Sequence, residues 1–247
     1  MLELKSITKR YNVSSVPAVF DLNLKLNKGE IFGFIGPNGA GKSTTIKMIT
    51  GILKPTEGEI FIDGFSMSKD PVKCKATFGY VPDNPDVYER LTGADYLNFM
   101  ADVYNVSSSE RKERIKKYTE MFGISNAINQ QIKSYSHGMK QKLVLTGALI
   151  HQPKLWILDE PMVGLDPMSA KILKEEMKEH CKKGNTIFFS THVLEVAEKI
   201  CDRVGIINQG ELVAVGSVDD LKIKAKNGDS SLEDIFINII NGEQYGN

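Results

Sequence analysis

Cysteine is scarce in this chain. The three among its 247 residues, Cys74, Cys181 and Cys201, are an odd count, far apart and without a CxxC pair. That usage excludes a disulfide scaffold, argues against a cysteine metal cluster and points to a reducing compartment. Excess charge of one sign is also lacking: 31 Lys and Arg stand against 31 Asp and Glu, a formal net charge of zero. Such a balance provides no footprint for wrapping nucleic acid, and no nucleic-acid partner is expected. Nowhere do about 18 apolar residues run together, so no spanning helix is predicted. Met1-Leu2-Glu3-Leu4-Lys5 lacks the basic-then-apolar pattern of a secretion signal. Internal repeats and low-complexity segments are missing too. What is present, 41% hydrophobic and 25% charged residues, is an ordinary globular composition that excludes collagen-like and disordered chains. The length can bury a real core, as one large domain or as a core with an insertion.

Residues 2–7 and 19–26 alternate apolar and polar side chains, as half-buried strands do. Ile31–Ile35 is almost wholly apolar and reads as a buried strand, followed by a glycine-rich turn and a helix from about Lys42. Strand-like pieces recur at 59–62 and 77–81. From about Gly93 to Ile150 the period becomes helical, with Leu97, Met100, Ala101 and Tyr104 on one face. The charged block Ser109 to Arg114 reads as a solvated helical face. Strands return at 154–159, 186–190 and 203–208, separated by helical stretches. The tail from Gly216 reads as a turn, a short helix, a polar loop at 226–230 and a final helix from Ser231. Strand and helix alternating around a helical block predict an α/β core with an all-α insertion.

Gly36-Pro37-Asn38-Gly39-Ala40-Gly41-Lys42-Ser43 satisfies GxxxxGK[ST] at every fixed position, between a buried strand and a helix. Its glycines let backbone N–H groups turn inward around phosphate oxygens, and the helix that follows directs its positive end at them. Lys42 is placed to reach the β- and γ-phosphates and the Ser43 hydroxyl to ligate Mg²⁺. An Asn-Lys-x-Asp guanine reader is absent. Leu155-Trp156-Ile157-Leu158-Asp159-Glu160 is an apolar strand ending in two carboxylates, where a parallel sheet presents ligands. Neighbouring strand residues point to opposite sides, so Asp159 can face a metal while Glu160 faces a water in line with the γ-phosphate. Taken alone, the same pair is compatible with a plain turn. Ser136 and Gly138 stand at the start of the helical run 142–150, where free N–H groups are presented, and equally fit a simple N-cap.

With these elements in place, the chain resembles the ATP-binding cassette (ABC) transporter ATPase subunits over almost its entire length. The resemblance assigns the Walker A loop to Gly36 through Ser43, with Thr44 beside it, and Walker B to Leu155–Glu160. It assigns the signature to Tyr135-Ser136-His137-Gly138-Met139, the D-loop to Gly164-Leu165-Asp166 and the switch histidine to His192. Tyr11, 25 residues before Gly36, matches the aromatic residue that stacks adenine, although a strand-end aromatic is an equal reading. The Ser-His-Gly-Met-Lys-Gln signature, the segment Asn84 to Thr92 and the tail from Ser231 look similar to a bacterial branch that exports drugs, peptides and polysaccharides, Ecs-type ATPases especially.

The fold this implies is a RecA-like P-loop core with an antiparallel β-subdomain (1–85 with 154–216), a helical subdomain (86–153) and a short C-terminal extension (217–247). It implies ATP and Mg²⁺ as cofactors, a second ATPase subunit packed head to tail, and a separate membrane permease that holds the chain at the cytoplasmic face. Ser136, His137 and Gly138 are then expected to meet the partner's ATP, Asp166 to couple the two sites, Glu160 to polarise water and His192 to steady the γ-phosphate. Two departures stand out. Asp83 occupies the place where the family usually carries Gln, so it either ligates Mg²⁺ or merely ends a strand. His137 and Met139 replace the commoner Gly and Gln, and His137 is expected to act through its backbone with a surface imidazole. His151 and His180 are given no catalytic part, and Met48, Met100, Met121 and Met177 are read as core-filling. A permease-independent soluble ATPase and a weakly hydrolysing regulatory module are the alternatives.

Overall fold

The alternating segments at 2–7 and 19–26 form β1 (Leu2–Lys9) and β2 (Val19–Leu26), antiparallel partners in a computed structural model that describes residues 1–12, 16–224 and 231–240. The two-residue period turns Leu22, Leu24 and Leu26 inward and leaves Asp21, Asn23 and Lys25 to solvent. β4 (Glu57–Ile62) pairs with the other edge of β1, and β5 (Phe65–Ser66) completes a four-stranded antiparallel sheet in the order β2-β1-β4-β5.

The apolar run Ile31–Ile35 is β3, buried at every residue. It lies inside a six-stranded sheet with β6 (Phe78–Val81), β7 (Leu155–Asp159), β8 (Thr186–Thr191), β9 (Arg203–Asn208) and β10 (Glu211–Gly216). The order is β10-β9-β3-β8-β7-β6, parallel except for β10. Helices α6 (Pro167–Lys182) and α7 (Leu194–Ile200) join β7 to β8 and β8 to β9, while α1 (Lys42–Ile49) leads from β3 to β4 and α2 (Pro71–Thr77) from β5 to β6. The faces of such a sheet are closed by apolar contacts: Phe32 and Phe34 meet Phe188 on one side, while Trp156, Phe189 and Met177 pack on the other. Register matters most for function. Ile35 pairs with Thr191 and Asp159 with Ser190, so the C-terminal ends of three adjacent strands lie level.

Between β6 and β7 the helical period is realised as α3 (Gly93–Val103), α4 (Ser108–Met121) and α5 (His137–Leu149). Thr92 and Asp95 form a reciprocal capping box at the start of α3. Leu97, Ala101, Ile124, Ile132 and Leu143 make a separate core for this insertion. α5 serves two cores, because its Val144, Leu145 and Ala148 pack with the sheet residues Trp156 and Phe189. The block Ser109 to Arg114 lies on α4 and is mostly exposed, with Arg111 paired to Asp102 and Arg114 to Glu110 at 2.5 Å. The solvated-face reading holds.

The tail forms α8 (Val218–Lys224) and α9 (Leu232–Ile240), whose Leu221, Leu232 and Ile235 cover Ala197 and Ile206. The polar loop expected at 226–230 lies outside the described residues. Three elements escaped the sequence reading. α2 buries only Cys74 and so carries no helical period; β5 is two residues long; β10 is an edge strand with no fully buried residue. All three cysteines are free. Met48 and Met177 are fully buried core residues, and Met121 packs partly buried beside the second core.

His180 on α6 is 5% exposed, edge-on to Trp156 with ring centroids 5.7 Å apart. Burial and the nearby Lys183 charge lower its pKa from 6.5 to about 4. Between these values the unfolded chain binds the extra proton, so stability rises with pH across that window and is lost as pH falls from 6.5 towards 4. His180 is expected to lower the unfolding free energy by roughly 1–2 kcal/mol between pH 7 and pH 5. Urea unfolding at the two values checks this: His180→Phe should show a smaller pH difference than the native chain, and an equal difference refutes it.

Candidate active site

The phosphate loop leaves the end of β3 and turns into α1. Gly41 occupies the N-cap of α1 at φ +110°, and a Cβ there would lie 2.7 Å from the Ala18 carbonyl oxygen, so the turn requires glycine. Lys42 Nζ donates to the Gly36 carbonyl at 2.7 Å and to the Pro37 carbonyl at 3.1 Å, which ties the loop to itself. Ala40 N–H closes onto the Pro37 carbonyl at 3.2 Å. The Lys42 ammonium is pushed down in pKa by burial, while the charges of Glu160 and Asp159 oppose that shift. A cleft of about 220 Å³ opens over the loop, lined by Asn38, Gly39, Lys42, Ser43, Thr44, Asp83 and Glu160. Tyr11, exposed, sits at the rim with its hydroxyl 3.2 Å from Thr44 Oγ1 and Lys9 Nζ 5.8 Å from its ring centroid.

Asp159 ends β7 at 3% exposure. Burial raises its pKa, the hydroxyls of Ser190 and Ser43 pull it down by hydrogen bonding, and the charges of Asp83 and Glu160 push it up again. Ser190 Oγ donates to Asp159 Oδ1 at 2.5 Å. Glu160, one residue on, leaves the ladder at φ +48°, a strained conformation for a side chain with a Cβ. Its carboxylate Oε1 lies 2.9 Å from His192 Nδ1. The level ends of β3, β7 and β8 therefore gather the phosphate loop, the acidic pair and His192, with Asp83 arriving just beyond β6. Among the described residues, no three His, Cys, Asp or Glu side chains gather to hold a metal by themselves.

A second cluster forms at the start of α5, apart from the cleft lining. Ser136 caps that helix and accepts from Met139 N–H at 3.3 Å, as the N-cap reading requires. The next residues face the segment that follows Glu160. A Cβ on Gly164, itself at φ +78°, would lie 2.3 Å from His137 Cδ2, so the imidazole lies against bare glycine backbone. Gln141 Nε2 reaches the Pro161 carbonyl at 3.4 Å, and Lys142 Nζ binds Asp166 Oδ2 at 2.9 Å. Asp166 also caps α6 through Ser169, and these hydrogen bonds, with Lys142, hold its pKa well below the usual carboxylate range. His137 is exposed, as expected, but its ring has a packing partner.

His151 and His180 lie in neither cluster. His151 stacks on Tyr104 at 3.6 Å and meets the Phe78 carbonyl at 3.1 Å. Two contacting residues escaped the sequence reading. Ser190 ends a predicted strand just before His192 and Lys142 opens a predicted helical run, but only strand register and helix packing reveal what they touch.

An oxygen-rich cleft over a phosphate loop, with a carboxylate held by histidine at its edge, can bind a nucleotide and activate water at its terminal phosphate. Residues 19–163 match the ABC transporter family. The linearmycin resistance ATP-binding protein LnrL of Bacillus subtilis (strain 168) is 38% identical over 221 residues, 90% of this chain and 70% of that protein. The ABC-type transporter ATP-binding protein EcsA of the same organism is 34% identical over 97% of this chain and 96% of its own length. A solved ATP-binding subunit of an ABC transporter superposes with a TM-score of 0.93 at 34% identity, covering 97% and 99% of the two chains. A dimeric, post-hydrolysis structure of the ATP-binding cassette MJ0796 with ADP and Pi superposes at 0.80 with 26% identity, over 88% and 98%. By sequence, fold and site geometry together, the chain belongs to the ABC transporter family as one of its ATP-binding, ATP-hydrolysing subunits.

Proposed function

We propose that the chain binds Mg·ATP between its own phosphate loop and the Ser136–Gly138 segment of a second subunit, and that hydrolysis there drives export through a separate membrane permease. The contact that carries the reading is His192 Nδ1 on Glu160 Oε1 at 2.9 Å, beside the cleft that Lys42 and Ser43 line. Glu160 accepts the proton of the attacking water as the new oxygen–phosphorus bond forms and the bond to the ADP oxygen breaks. His192 holds that carboxylate and steadies the γ-phosphate. The amides from Gly36 to Thr44 cradle the phosphates, Lys42 leaves its carbonyl partners for phosphate oxygens, and Tyr11 stacks the adenine. Asp166 couples the two sites of a dimer.

The donor set fits Mg²⁺. Ser43 and Asp159 offer only hard oxygen atoms and leave most of the shell to water and phosphate. When bound, the ion offsets charge developing on the β- and γ-phosphate oxygens. Asp83 lines the same cleft, exposed, and we assign it to this ion as well.

Export is favoured by the signature flavour and by the resistance function in the LnrL name. No helix among the described residues is long and apolar enough to cross a membrane. Membership of the ABC transporter family supports a permease that supplies the pathway and holds the chain at the cytoplasmic face. A weakly hydrolysing module is the second reading, raised by the extra negative charge of Asp83 in the cleft.

Glu160→Gln should lower turnover by on the order of 100-fold or more and accumulate an ATP-bound dimer, read by light scattering after gel filtration with Mg·ATP. A variant that turns over like the native chain and stays monomeric removes Glu160 from this role. Asp83→Asn should shift the Mg²⁺ concentration for half-maximal hydrolysis upward, and an unchanged metal curve takes Asp83 out of the ion's shell. Turnover measured with purified permease separates the motor from the weakly hydrolysing module.

A further inference from the structure

Ser190 lies near the end of β8 and is fully buried. Parallel register sets it beside Asp159, and its hydroxyl meets both residues of the acidic pair. It donates to Asp159 Oδ1 at 2.5 Å and accepts from the Glu160 N–H at 3.2 Å. The direction of each bond follows from the partners, since an ionised carboxylate only accepts and a backbone N–H only donates. One proton and two obligate partners leave the hydroxyl a single arrangement.

Glu160 needs such a hold. Its φ of +48° is a conformation that side chains with a Cβ seldom adopt. Its amide otherwise has a 3.3 Å bond to the Ser190 carbonyl. Two residues further on, His192 meets the Glu160 carboxylate at 2.9 Å. The end of β8 thus grips the glutamate by its amide and by its carboxylate, and grips Asp159 with the same serine.

We propose that Ser190 is a positioning residue for ATP hydrolysis: its hydroxyl locks the Asp159 carboxylate and the Glu160 backbone in one geometry, so that the metal-side and water-side groups act in register. The inference rests on the hydrolytic reading above and adds a residue to it. A serine that only filled space would be replaceable by any side chain of similar volume.

Full-length Ser190→Ala, Ser190→Cys and Ser190→Thr are compared with the native chain and with Glu160→Gln. Two quantities are measured: kcat and KM for ATP, and equilibrium ATP binding across a Mg²⁺ titration, which needs no turnover. Removing an outer-shell hydrogen-bond partner of this kind costs about 10- to 100-fold. Ala and Cys are expected to lose kcat by that factor with KM for ATP little changed, and to need more Mg²⁺ for half-maximal binding. Thr, which keeps the hydroxyl, should recover most of both. The proposal is overturned if folded Ala or Cys variants keep native kcat and native Mg²⁺ dependence, or if a folded Thr variant loses as much as Ala. Cys keeps the volume of the site and carries the comparison if Ala does not fold. If the native chain and Glu160→Gln are equally inactive, the hydrolytic reading fails. The Mg²⁺ dependence of binding then still judges Ser190, by a shift in Ala and Cys that Thr reverses.

Discussion

A carboxylate sealed at the end of a central strand constrains everything around it. Asp159 is almost inaccessible to water, and an ion so placed costs several kcal/mol unless partners replace its hydration. Those partners come from separate elements: Ser43 from the first turn of α1, Ser190 from β8, and the Lys42 ammonium nearby as an opposing charge. Meeting that need ties α1, β7 and β8 together at one point. The sheet order answers the same demand, because β8 lies between β3 and β7 and brings all three ends level. A binding cleft at the C-terminal edge is the outcome.

The stretch leaving Glu160 carries this constraint outward. From Pro161 to Asp166 it is packed against the first turns of α5 by the Gln141–Pro161 bond, the His137–Gly164 approach and the Lys142–Asp166 pair. α5 in turn is buried in two cores at once, the sheet core through Val144 and Leu145 and the helical core through Leu143. The Ser136–Gly138 segment is therefore not a free appendage of the insertion. It rests on the backbone that begins at the glutamate.

Much of this was legible from residue order. The strands β2, β3 and β9 fall at the residues their patterns predict, because two-residue alternation and unbroken apolar runs are local properties. The phosphate loop is legible for the same reason, since its backbone path needs glycine at set positions. α2, β5 and β10 were not, because elements so short or so exposed bury too little to leave a period. Ser190 and Lys142 were invisible for a different reason. Their partners, Asp159 and Asp166, are 31 and 24 residues away in the chain, and nothing local marks the match.

Residue order alone carries the alternation of strand and helix, the phosphate loop, the acidic pair at an apolar strand end and the family to which these belong. Which groups touch depends on the folded arrangement. It set His192 on Glu160, the Ser190 hydroxyl between the two acidic residues, and the imidazole of His137 against Gly164. The physical reason is that hydrogen bonds across parallel strands and between packed helices depend on register and on close approach. Those are fixed when distant segments share a core, and no single segment carries them.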